Sequence, residues 1–211
     1  MLDELAKIIK LYLESKKRIV GILAKIDKDL KIPRTQTPAL ALTRTRNFIT
    51  LGIELLDSYY GLWKVARVDK DKGDKIREEN VERIIELQKM IIISSLSGVE
   101  YALKEYLSRN PEKLGNINSK TPLKEIFIKS KQCNIIEDEE FILWEGLIKF
   151  RNIIVHNDAI SDITRSYNYP KCQLELVASN RVKGNLMLCN YLIDWMIDAI
   201  ATWIRNIETK K

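Results

Sequence analysis

Apolar residues recur every three or four positions along most of the chain, the spacing that gives an α-helix one buried face. From residue 2 to 30 these are Leu2, Leu5, Ile8 or Ile9, Tyr12, Ile19, Leu23 and Ile26, with Lys and Glu filling the other face. Gly21 offers a place for this helix to bend, and Lys31 to Thr37, with Pro33 and then Pro38, stops it. A second helix is expected from Pro38 to Val68, holding Leu40, Phe48, Leu51, Leu55, Tyr59 and Trp63 inwards, with Arg34, Arg44 and Arg46 near its start. The charged stretch 69–75, DKDKGDK, reads as an exposed connection; it is too short and too lysine-rich for a calcium loop. A third helix follows from Lys75 to Ser108.

The pattern then loosens. Asn110 to Lys120 contains Pro111, Gly115 and Asn116 and reads as a loop. Thr121 can cap a short helix with Pro122 at its first position. The acids Glu137 to Glu140 open the central helix, Phe141 to Asp158, where negative charge favours the helix N-terminus. Leu143, Leu147, Phe150 and Ile154 form its apolar stripe. Ser161 to Pro170 reads as a polar loop. Cys172 to Leu186 alternates and turns at Ser179 and Asn180, as a small β-hairpin or an extended flap. Leu186 to Ile207 is a final amphipathic helix with Leu188, Leu192, Trp195, Ile200 and Trp203. The expected fold is all-α: one domain, 1–211, forming an elongated up-and-down helical bundle with a short extended or β-hairpin insertion before the last helix.

Composition adds limits rather than a function. The chain has 211 residues, 45% of them apolar and 30% charged, which suits a globular protein with a core of its own. The formal net charge of +6 permits a polyanionic partner and equally describes a lysine-rich solvated surface. Cys133, Cys172 and Cys189 are widely spaced and make no C-x-x-C pair. With a single histidine they do not compose the usual zinc site, so no metal and no cofactor is expected, and buried or free thiols in a reducing cytoplasm are. The N-terminus lacks a signal-peptide core, and Asp194 and Asp198 interrupt the last apolar run, so no membrane span is expected.

The candidate chemistry lies at the end of the central helix. Arg151, Asn152 and His156 break an apolar run. Asn152 and His156 are four apart and share a face, whereas Arg151 lies about 140° around from His156 on an ideal helix. An imidazole exchanges protons near neutrality, and a guanidinium grips a phosphate through paired hydrogen bonds. Asn152 can orient the histidine or bind a phosphate oxygen. Glu100 sits in the largely apolar run MIIISSLSGVEYALKEYL beside Ser94, Ser95, Ser97 and Gly98. It reads as a partner for Arg151 or as a solvent-side charge. Downstream, Arg165, Tyr167, Tyr169, Lys171 and Arg181 interleave basic and aromatic residues, as a surface for single-stranded RNA would, or as a solvated loop would.

The run RNIIVH, Arg151 to His156, resembles the R-x4-6-H motif of the HEPN (higher eukaryote and prokaryote nucleotide-binding) superfamily, in which a polar residue often follows the arginine. The small residues followed by Glu100 and an aromatic are similar to the matching helix of several HEPN groups. The resemblance implies a metal-independent endoribonuclease acting on single-stranded RNA as a homodimer, with two motifs facing one basic cleft. Arg151, Asn152 and His156 would be its catalytic residues, supported by Glu100. Defence or a toxin–antitoxin system would be its setting, with an antitoxin or nucleotidyltransferase as a partner. The toxins paired with nucleotidyltransferases carry a tyrosine two residues after the histidine; this chain has Asp158 there, which is expected to orient His156 or to be a surface acid. Members that only bind nucleotide or RNA, or act as scaffolds, give the second expectation. A purely structural helical protein is the third.

Overall fold

A computed structural model describes residues 2–30, 38–66, 70–156, 159–182 and 186–209. The expected break at 31–37 with Arg34, the residues Val68 and Asp69, the acid Asp158 and Gly184 lie outside them. The described chain forms α1 (Leu2–Leu30), α2 (Leu40–Ala66), α3 (Lys70–Arg109), α4 (Pro111–Leu114), α5 (Leu123–Gln132), α6 (Asp138–His156), β1 (Arg165–Tyr169), β2 (Cys172–Leu176) and α7 (Leu188–Thr209). The fold is therefore an all-α bundle with a short hairpin before the last helix. No described helix is long and apolar enough to cross a membrane.

α2 and α3 make the longest packed pair. Arg44 lies against Gly98 and Tyr101, and Gly52 against Ile91, so one chain rises as the other falls and the helices are antiparallel. A Cβ built on Gly52 would come within 2.3 Å of Ile91 Cδ1, so the missing side chain is what lets Ile91 seat between the helices. The interior face of α2 is Leu42, Thr45, Ile49, Gly52, Leu56 and Trp63. Leu51 and Leu55, expected inwards, are 53% and 41% exposed instead. The reading by residue size chose the wrong face because two interior positions are threonine and glycine.

α1 and α7 run in the same direction. Asn190 Nδ2 donates to Ile8 O, Ser15 Oγ donates to Asp194, and Arg18 donates to both Asp194 and Asp198. The buried residues of all the long helices and the hairpin join in one core cluster.

α6 is fixed by aromatic rings. Trp144 stacks on Phe127 of α5 with centroids 4.1 Å apart and meets Trp195 of α7 at 5.0 Å. Tyr169 of β1 meets Trp195 edge-on at 5.0 Å, and its hydroxyl donates to Leu143 O at 2.6 Å. Burial pushes that phenol up from its ordinary pKa, so it stays a donor. One turn further along α5, Trp203 Nε1 donates to the buried Ser130 Oγ at 2.9 Å.

Three other expectations are corrected. α3 begins at Lys70, so most of the charged stretch 69–75 is helix and not a connection. Pro122 stands at the N-cap of α5 rather than at its first helical position, and Thr121 makes no capping hydrogen bond to the helix. The hairpin pairs Arg165 with Leu176 and Tyr169 with Cys172, so it turns at Pro170 and Lys171, and part of the expected loop 161–170 is strand β1.

Candidate functional site

The C-terminal half of α6 runs between two grooves. Acidic residues Asp138, Glu139 and Glu140 start the helix and the aromatic cluster fixes its rotation. Its last turns then present Arg151 on the side of α3 and Asn152 towards α5 and β1.

Arg151 is the better defined of the two. Its Nη1 donates to Glu100 Oε2 at 3.2 Å and its Nη2 to Ser97 Oγ at 3.5 Å, the latter at the limit of a hydrogen bond. Its Nε is buried without a partner among the described residues. A guanidinium has five donors, so most of this one's capacity is unused. The Arg151 side chain is 26% exposed and Glu100 is 18% exposed. Glu100 also accepts from Lys104 Nζ at 2.6 Å, so the carboxylate sits between two cations. Beside this pair opens a groove of about 530 Å³, lined along α3 from Ser97 to Arg109 and by Ser119 of the α4–α5 connection.

Asn152 is exposed and lines a second groove of about 330 Å³ with Lys124, Glu145, Lys149, Arg165 and Tyr167. Glu145 accepts from Lys124 and from Arg165, each at 2.8 Å. These cations, Lys124 first, hold the Glu145 carboxyl below its usual range. Lys149 pairs with Asp162 at 2.8 Å. Three cations against two acids leave this groove with a positive excess.

His156 is exposed and is the last residue of α6. Within one chain, then, Glu100 and Arg151 are brought together, while Asn152 opens on the other groove.

The downstream residues do not form the expected surface. Tyr167 is 2% exposed, packed on Gly146, and its ring carries the Arg165 guanidinium at 4.9 Å. It cannot stack on a base because α6 already covers it. Tyr169 is buried by Trp195. Lys171 pairs with Asp194 of α7 at 2.5 Å, while Arg165 pairs with α6, so these two cations are committed to different helices. Arg181 is exposed, in a bridge with Ile160.

Several residues of the two grooves were not singled out beforehand. Lys149 lies three residues before Asn152 on α6 and so one turn away, a signal present in the spacing. Lys104, four after Glu100, was equally visible. The approach of Lys124 and of Arg44 depends on packing between helices and has no local sign. Among the described residues, no group of three or more His, Cys, Asp or Glu side chains is placed to hold a metal ion.

Compared with protein-family models, with curated proteins and with solved structures, the chain matches none.

Proposed function

We propose that the protein is a HEPN-type endoribonuclease that cleaves single-stranded RNA without a metal, working in the cytoplasm as a homodimer. The observation that carries this reading is the state of Arg151. It is tethered by one good hydrogen bond, partly exposed, and short of partners at the edge of a groove. With one good bond to Glu100 and a side chain 26% exposed, its outer nitrogens keep N–H donors for a phosphate oxygen.

On this reading Arg151 binds the scissile phosphate and stabilises the charge that develops on it. The ribose 2′-oxygen attacks phosphorus and the bond to the 5′-oxygen breaks. The products are a 2′,3′-cyclic phosphate and a 5′-hydroxyl end. His156 transfers a proton or positions the 2′-hydroxyl, and Asn152 supports it from the same helix face. Glu100 keeps Arg151 pointing across the groove. Service in defence or beside an antitoxin belongs to the same proposal.

One observation favours a second reading, a non-catalytic RNA binder or scaffold. Arg151 and Asn152 serve different grooves, and one chain does not bring them together.

The deciding experiment is cleavage of a labelled single-stranded RNA pool in EDTA by wild type, Arg151→Ala and His156→Ala, with analysis of product ends. Cleavage lost in both variants, with cyclic-phosphate ends, supports the nuclease. Binding without cleavage by wild type supports the second reading. Cleavage that survives both substitutions refutes the assignment of the site.

A further inference from the structure

We propose that the groove beside Arg151 is a nucleobase-binding subsite, with the Tyr101 ring as its stacking surface. It takes the base adjoining the phosphate at Arg151, and to that extent it rests on the reading above.

Tyr101 is an exposed aromatic residue of α3. Val99, Ala102 and Leu103 around it are buried, while Tyr101 stays 50% exposed and borders the groove. Its ring is nonetheless held in place. The Arg44 guanidinium lies 4.0 Å from the ring centroid, covering part of it from the α2 side. Gly98 makes that approach possible, since a Cβ built there would stand 3.0 Å from Arg44 Cβ and 3.4 Å from Phe48 Cε2. An exposed aromatic ring fixed by a cation from behind is a ready platform for a π-face, and every base has one.

The rest of the lining suits a base better than a phosphate. Lys104 and Arg109 are balanced by Glu100 and Glu105, so the groove has no excess charge for an anion. Ser97 and Ser119 add hydroxyl groups that can donate and accept, and Ser108, whose proton goes to Glu105 O, adds an acceptor, which suits the polar edge of a base. Its volume of about 530 Å³ falls in the range of small-ligand sites. Ser97 and Glu100 both line the groove and both contact Arg151, at 3.5 and 3.2 Å. One nucleotide therefore spans the two, with its phosphate at the guanidinium and its base on Tyr101.

The test is equilibrium binding of the full chain to a single-stranded 2′-deoxy hexanucleotide, which has no 2′-oxygen and is not cleaved on the proposed pathway. Wild type, Tyr101→Ala and Tyr101→Trp are titrated with the intact oligonucleotide and with a set carrying one abasic position each. Tyr101→Ala should weaken binding roughly tenfold, as the loss of one stacked base does, and Tyr101→Trp should retain it. One abasic position should reproduce that loss in wild type and add nothing in Tyr101→Ala. Equal binding by wild type and Tyr101→Ala, an abasic penalty unchanged in Tyr101→Ala, or no binding by wild type overturns the subsite. The cleavage assay in EDTA separates the two ideas. RNA cleavage without this coupling leaves the nuclease and removes the subsite, whereas coupling without cleavage does the reverse.

Discussion

Replacing Gly146 with alanine puts a methyl group where the Tyr167 ring already lies. A Cβ built at that position is 2.6 Å from both Cγ and Cδ1 of the ring and 3.0 Å from Cδ2. Carbon atoms in contact prefer about 3.5–4.0 Å, so the ring must retreat by roughly an ångström. It has nowhere to go on its own. Tyr167 is 2% exposed and sits in β1, paired with Leu174, so the hairpin must move with it. Overpacking of this kind costs about 1–3 kcal/mol, and a ring anchored in a strand belongs near the top of that range. Alanine in a helix interior recovers about 1 kcal/mol over glycine. The net expectation is a loss of about 2 kcal/mol, or roughly 4–8 °C in Tm for a chain of this size. Gly21 supplies the control, since nothing lies within 4 Å of a Cβ built there. Gly21→Ala should gain up to about 1 kcal/mol, roughly 2–4 °C. Urea and thermal unfolding followed by circular dichroism measure both. If Gly146→Ala proves as stable as wild type or more so, the packing of the hairpin on α6 is wrong, and with it the burial of Tyr167.

Three further outcomes follow from the same contacts. Glu145 has a lowered folded-state pKa, so its ion pairs stabilise above the unfolded carboxylate range and are lost as pH falls through the folded value. Glu145→Gln should therefore cost about 0.5–1 kcal/mol at pH 7, with the difference closing below about pH 4; a constant difference across a pH series of unfolding curves would contradict the pairing. Ser130→Ala removes the acceptor of the buried Trp203 indole N–H and should cost about 1–3 kcal/mol in urea unfolding, although only one atom is lost. Burial pushes the Cys189 thiol up to about 12 and that of Cys172 up to about 11. Alkylation at pH 8 followed by mass spectrometry should thus label Cys133 first and Cys189 only on unfolding, and early labelling of Cys189 would contradict its place in the core.

How far the chain could be read in advance depended on whether local pattern or packing between helices decided each position. The helical periodicity of α1, α6 and α7 comes from the residues that fill the core, so Leu23, Phe150 and Trp203 were found on the buried side. Periodicity misled at α2, where Gly52 is interior only because Ile91 of another helix occupies the space. It misled again at β1, where the strand buries just two residues, Tyr167 and Tyr169, too short an alternation to separate from a polar loop. The same division holds at the candidate site. Glu100 could be offered as a partner for Arg151, beside the alternative of a solvent-side charge, from its place in a largely apolar run. Tyr101 could not be chosen over other aromatics, because its exposure and the guanidinium beside it depend on how closely α2 meets α3 at Gly98.

The geometry of α6 also limits how the proposed reaction can be assembled. Consecutive residues on an α-helix diverge by about 100°, and Arg151 and Asn152 do so here, facing α3 and the α5–β1 groove respectively. His156 follows Asn152 by four residues and shares its face, leaving Arg151 about 140° away on an ideal helix. If Arg151 and His156 act on one phosphate, the simplest arrangement takes them from different chains across a twofold axis. Mixing two inactive proteins distinguishes this from a site within one chain. A dimer of Arg151→Ala with His156→Ala would hold one site with both groups intact if they come from different chains, and none if they come from the same chain. With random exchange, half the dimers are mixed and each has one of two sites, so cleavage should return to about a quarter of the wild-type rate. The readout is RNA cleavage after co-refolding the two variants at equal concentration, with size-exclusion chromatography to show that they exchange. Exchange without recovered cleavage would rule out the shared site and require the end of α6 to change shape when RNA binds.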